Sequence, residues 1–158
     1  MSTLTQSYRL SARSIRFSFR FESGAFTLFD RRELEMRALP GSGLEPIEPG
    51  TRSGCWLEVQ DADGGVLYRW VMAHPMIRRS EVFEQADGTD EPRTILWAAE
   101  RGACSVVVPN LAGGADLALF ASPTQDLEIL QPAVEVLRVA LRGRGTRPGS
   151  QPGEDRRH

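Results

Sequence analysis

The sequence contains no lysine; all 19 of its basic residues are arginine. Arginine used alone is the signature of a high-GC coding sequence rather than an adaptation. Against it stand 21 acids, a net charge of −2, which excludes a generally basic nucleic-acid binder. Histidine and cysteine are scarce, two of each. There is no H-E-x-x-H and no C-x-x-C, so the common zinc sites are missing. No serine sits in a G-x-S-x-G elbow. No G-x-G-x-x-G or P-loop offers a phosphate cradle, so no cofactor is expected. No window approaches the roughly 18 apolar residues of a membrane-spanning helix. The opening, MSTLTQSYRLSARS, lacks the apolar core of a secretory signal. A cytoplasmic, reducing compartment is therefore expected, with Cys55 and Cys104 as free thiols.

What remains is ordinary for one domain: 158 residues, 41% apolar and 25% charged. That is enough to bury a core. Residues 1–13 read as a flexible arm or edge strand, 14–142 as the folded body, and 143–158 as a disordered basic tail. The tail text, GRGTRPGSQPGEDRRH, has no large apolar residue to offset its ordering entropy. Arg142–His158 carries a charge of +3, leaving −5 on the rest. That pattern fits a solubilising end, with polyanion binding as the sharper reading.

In the body the dominant period is two. Ile15, Phe17, Phe19 and Phe21 alternate with polar residues, the pattern of a half-buried strand, and Ser23-Gly24 breaks it. Phe26 to Met36 reads as a longer, bent strand, and Pro40 to Gly50 as a loop. Asp63-Gly64 suits a two-residue type I′ turn. From it follows a hairpin pairing Val59 with Tyr68, Leu57 with Trp70 and Cys55 with Met72 on an apolar face. Glu58 then pairs with Arg69, and Trp56 with Val71, on the other. Glu81 to Gln85 reads as a short strand and Gln85 to Pro92 as a polar loop. A second hairpin is expected around Arg101-Gly102, placing Trp97 opposite Val106 and Ile95 opposite Val108. Asp116 to Ala121 adds a strand. Gln131 to Arg142 reads as a C-terminal helix from its Leu130, Val134, Leu137 and Leu141 spacing; its β-branched valines keep a final strand as the alternative. Short strands at this spacing predict an all-β, Ig-like antiparallel sandwich of seven to nine strands.

The inventory for chemistry is thin. His74, before Pro75, reads as a hydrogen-bonded structural histidine, with a ligand-contacting or catalytic role as the alternative. Asp61-Ala62-Asp63-Gly64 lacks the later ligands of a calcium loop. No catalytic or metal-ligating residue is assigned. The candidate binding residues are Trp56, Glu58, Arg69, His74, Arg78 and Arg79. Trp56 is expected opposite the core, beside Arg69, where an exposed ring stacks a sugar or a partner side chain unless a loop or second sheet covers it. Arg78-Arg79 offers a grip for an acidic partner, or simply solvates an edge.

Cys55, Trp70 and Cys104 resemble the Cys…Trp…Cys layout of immunoglobulin domains, departing at Gly102, where that family has tyrosine. The stretch WLEVQDADGGVLYRW, Trp56 to Trp70, resembles part of the N-terminal β-sandwich module of bacterial IgA-peptidase-like metallopeptidases, and many actinobacterial β-sandwich proteins. The likeness covers about fifteen residues, and the peptidase's zinc motif is absent. It implies an accessory sandwich module and carries no peptidase activity. The resulting expectation is a non-enzymatic interaction or accessory module of a bacterial assembly or multi-gene system. Its partner would be a protein, with homo-oligomerisation a corollary, no membrane and no nucleic acid. The alternatives are a carbohydrate-binding sandwich using Trp56, and an enzyme centred on His74.

Overall fold

The computed structural model of the chain describes residues 11–82 and 92–142. Residues 1–10 of the expected arm, the polar loop as far as residue 91, and the basic tail lie outside them. The described residues form nine strands and no helix: β1 (Ser14–Glu22), β2 (Ala25–Leu34), β3 (Cys55–Gln60), β4 (Val66–Met72), β5 (Ile77–Val82), β6 (Arg93–Ala98), β7 (Arg101–Pro109), β8 (Asp116–Ala121) and β9 (Val134–Ala140). All pairings are antiparallel. The orders are β2-β1-β7, β4-β3-β8-β9, and a separate ribbon, β5-β6.

The alternation of β1 builds one half of the core. Ile15, Phe17, Phe19 and Phe21 are all buried, and Ile15 and Phe17 pair with Val108 and Val106 of β7. The three-stranded and four-stranded sheets share a single core, where these rings meet Cys55, Leu57, Val59, Tyr68, Leu117 and Leu119. At Gly102 there is no space for a side chain, because a Cβ there would stand 2.4 Å from Cζ of Phe21.

The β3–β4 register is the expected one: Cys55 to Met72, Trp56 to Val71, Leu57 to Trp70, Glu58 to Arg69 and Val59 to Tyr68. The turn is not the expected type I′. Asp63 keeps a negative φ, and only Gly64 enters the left-handed region, at +84°. The Asp61 carboxylate accepts the backbone N–H groups of Asp63 and Gly65 at 2.9 and 2.7 Å, which winds a three-residue loop. The extra loop residue is absorbed by a bulge at Leu67, where the register shifts, and the expected pairing resumes at Val59. The two-residue turn with positive φ at both positions occurs instead at Ser23-Gly24 (+48° and +82°), between Glu22 and Ala25.

Two expectations are overturned. Gln131–Arg142 is not a helix: Val134–Ala140 is strand β9, with Leu137 and Val139 paired to Leu119 and Leu117 of β8. A bulge at the Leu119/Phe120 step interrupts its alternation and leaves spacings that also fit a helix. Nor do β6 and β7 form a hairpin. β6 pairs with β5 (Trp97 to Arg78, Ile95 to Ser80), while β7 crosses to β1. Paired with β1, β7 buries Val106 and Val108 in the core beside Phe17 and Ile15.

Phe17 is fully buried at the centre of this packing. Phe17→Ala is expected to lower the unfolding free energy by about 3–5 kcal/mol in urea titration followed by circular dichroism. A loss below about 1 kcal/mol would contradict the shared core.

Candidate functional site

Glu58 and Arg69 meet on the face of the four-stranded sheet turned away from the core. A charge is unstable in a dry place unless it is paired and its hydrogen-bonding capacity is met, and here both conditions hold. Arg69 Nε and Nη2 donate to Glu58 Oε1 at 3.0 and 2.9 Å. Trp56 Nε1 donates to the same oxygen at 3.2 Å, and Gln60 Nε2 donates to Oε2 at 2.8 Å. Arg69 Nη1 donates to the carbonyls of Gly43 and Glu45, each at 2.8 Å. The network reaches β9 through Arg138, which donates to Gln60 Oε1 at 3.0 Å and pairs with Glu135 at 2.8 Å. Donation from Arg138 holds the Glu135 carboxyl below the usual carboxylate range.

The carbonyls that hold Arg69 belong to the segment after β2. Its Ser42 N–H donates to the Arg69 carbonyl at 2.8 Å, and Leu39 O accepts the Tyr68 hydroxyl at 3.0 Å. Gly41 permits the approach, since a Cβ there would lie 2.6 Å from Arg69 O. The segment therefore runs along β4 and turns across the outer face. Of the two readings of Trp56, an exposed ring or one covered by a loop or second sheet, the structure has the covered one: the residue is only 3% exposed. It stacks on Phe120 (centroids 5.3 Å apart, 12° between planes), and the Arg52 guanidinium sits 5.5 Å over its ring. Between segment and sheet runs a groove of about 590 Å³, lined among others by Ile47, Arg52, Trp56, Phe120 and Val134.

His74 lies elsewhere, at the end of the molecule where β4 leads into the ribbon. Its Nδ1 accepts the Met76 N–H at 3.2 Å, so Nε2 carries the proton and donates to Ser122 O at 2.9 Å. Both ring nitrogens are thus engaged with backbone. The adjoining cavity of about 420 Å³ also includes Ser122, but that hydroxyl donates to Gln131 O and accepts the Gly54 N–H. Cys55 and Cys104 are free and pack in one core. Burial, and then the neighbouring Cys104, pushes the Cys55 thiol up to about 12. Burial likewise raises Cys104. Neither is held as a thiolate. Among the described residues, no three metal-ligating side chains cluster.

Arg78 and Arg79 stand on β5, apart from the Trp56 group. Beside them is the feature that the sequence reading missed. Every residue of β6 is exposed, and Ile95, Leu96 and Trp97 keep 45%, 49% and 46% of their surface in water. The clue is the uninterrupted I-L-W-A text, whose expected partner was β7 and whose actual partner is β5. Among the described residues the ribbon has no third strand. Comparison of the chain with protein-family models, curated proteins and solved structures finds no match. No described helix is long and apolar enough to cross a membrane.

Removing one member of the buried pair leaves the other charge unpaired. Glu58→Ala is expected to cost about 3–5 kcal/mol by chemical denaturation. The double variant Glu58→Leu/Arg69→Met should recover most of that loss, and equal costs for single and double variants would contradict the pairing. Alkali gives a second test. Above pH 9 the unfolded Cys55 thiol ionises while the native one keeps its proton up to about 12. Native stability should therefore fall across that window, by about 1.4 kcal/mol per pH unit for each proton so held. Tyr68 and Cys104 act in the same direction. Cys55→Ala should flatten the slope; an unchanged slope would contradict the assignment.

Proposed function

We propose that this chain is a non-enzymatic interaction module that offers the β5–β6 ribbon to a protein partner. One observation carries the reading: three large apolar side chains on consecutive positions of β6 stand almost half exposed on a strand without an outer neighbour among the described residues. Such an edge is usually blunted by charge, proline or a covering segment. Among the described residues the middle of β6 has none of these, whereas the 39–45 segment runs along β4. Arg78 and Arg79 border the apolar strip on β5, where an approaching acidic segment would find them. The state of His74, Cys55 and Cys104 supports a non-enzymatic reading, since none is presented as a free base or nucleophile. The Ig-like character of the sandwich belongs to the same proposal. It is supported by two antiparallel sheets over one core, with Cys55 and Cys104 on opposite sheets. So does the placement in a reducing compartment, supported by the two free thiols.

A second reading, a small-ligand site, is favoured by the volume of the groove, which lies within the range of ligand pockets. A sugar stacking there would have to displace Arg52 from the Trp56 ring.

The test is affinity capture from the native host with wild type and Ile95→Ser/Trp97→Ser, followed by amide exchange on the recovered complex. A stoichiometric partner lost by the ribbon variant, with protection on β5 and β6, is the expected result. Retention by the variant, or protection confined to the groove, would overturn the assignment.

A further inference from the structure

The β6 strand is self-complementary, and we propose that the partner seated on its free edge is a second copy of this chain. The inference rests on the reading of the ribbon as an interaction edge and names its occupant. A two-stranded ribbon is marginal in water, while four strands are not. Antiparallel pairing about a two-fold axis requires that one residue face its own counterpart. With Leu96 at that centre, Ile95 faces Trp97 of the second copy, and Thr94 faces Ala98 of the second copy. Each copy thereby places an aromatic residue against a β-branched one, a favourable cross-strand pair. No charged residue opposes another along the seam.

The charges of β5 agree with this register. Arg79 pairs with Leu96 within one chain. In the joined sheet, ordered β5-β6-β6-β5, the two copies of Arg79 stand three strand spacings apart, about 14 Å. That exceeds the screening length of about 8 Å at physiological salt. The Arg79 row thus reads charge, apolar, apolar, charge, and the Trp97 row pairs two apolar residues at its centre.

The described part of the chain leads both of its ends away from the ribbon. β1 begins at Ser14, paired with Pro109, and the ribbon feeds β7 at its other end, Arg101. β9 finishes at Ala140 opposite Asp116, whereas the ribbon departs near Met72, in the row of Cys55, Ala121 and Val134. Arg13 and Arg142 both hold the β7–β8 connection, through Asn110 and Ala112. That connection lies at the pole away from the ribbon.

A seam of one strand pair with its side chains is a small interface, so dissociation at about 10–100 µM is expected. Sedimentation velocity of the full chain from about 1 to 200 µM should show conversion from the 17.5 kDa monomer to twice that mass. Leu96→Arg puts two charges face to face at the centre and should leave a monomer with unchanged circular dichroism. Independently, in a Cys104→Ser background, Leu96→Cys treated with diamide should cross-link to its own counterpart. An exposed Glu33→Cys on β2 should not. Monomer at every concentration, a dimer that survives Leu96→Arg, or equal cross-linking at position 33 would overturn self-pairing. If the chain stays monomeric while Ile95→Ser/Trp97→Ser still abolishes capture of another protein, self-pairing falls and the ribbon's interaction role stands.

Discussion

Arg69 organises this molecule. A guanidinium buried on the outer face of a sheet needs a countercharge and acceptors for its remaining N–H groups, and the chain supplies both from different places. Glu58 comes from the neighbouring strand, and the carbonyls of Gly43 and Glu45 come from a segment more than twenty residues upstream. Satisfying one side chain thus fixes the path of a long connection. That path closes the face that would otherwise present Trp56. Strand β3 and the Arg69 stretch of β4 are consequently buried on both sides, with the aromatic core within and the connection outside, while Val71 and Val134 of the same sheet stay exposed.

With Trp56 covered, the exposed apolar strip of β6 is the surface on which the proposed interaction rests. The ribbon lies outside the shared core and keeps its apolar residues in water, so its stability depends on what joins it. The arrangement separates two tasks. The sandwich holds itself together through the buried pair and the aromatic row, and the ribbon is left as the element whose free energy a partner can change. Its three large side chains are already about half buried, so covering the rest would supply roughly 0.7–1.5 kcal/mol for each, before the cost of association is subtracted.

Local regularities were legible in the sequence, and long-range coverings were not. The β3–β4 register could be read because five residue pairs agreed on one alignment, and it held although the turn type differed; the bulge at Leu67 compensated for the longer loop. The alternation of β1 was equally plain. β9 was read as a helix because a bulge near Val136 shifts its apolar residues onto spacings shared by both periods. The partner of β6 was missed because adjacency in sequence suggested β7, while β7 places Val106 and Val108 in the core beside β1. Trp56, Glu58 and Arg69 were correctly grouped on one face. Covering of Trp56 by a loop was one of two readings; which loop was not visible, because nothing local in Pro40–Gly50 shows that its carbonyls would be turned toward an arginine.

The division between a closed sheet and an open ribbon is tested most directly by acrylamide quenching of single-tryptophan proteins at about 1 µM, where the monomer prevails. With Trp70 and Trp97 replaced by phenylalanine, Trp56 should emit at short wavelength and resist the quencher. With Trp56 and Trp70 replaced, Trp97 should emit at longer wavelength and be quenched readily. A shielded Trp97 together with an accessible Trp56 would contradict this division.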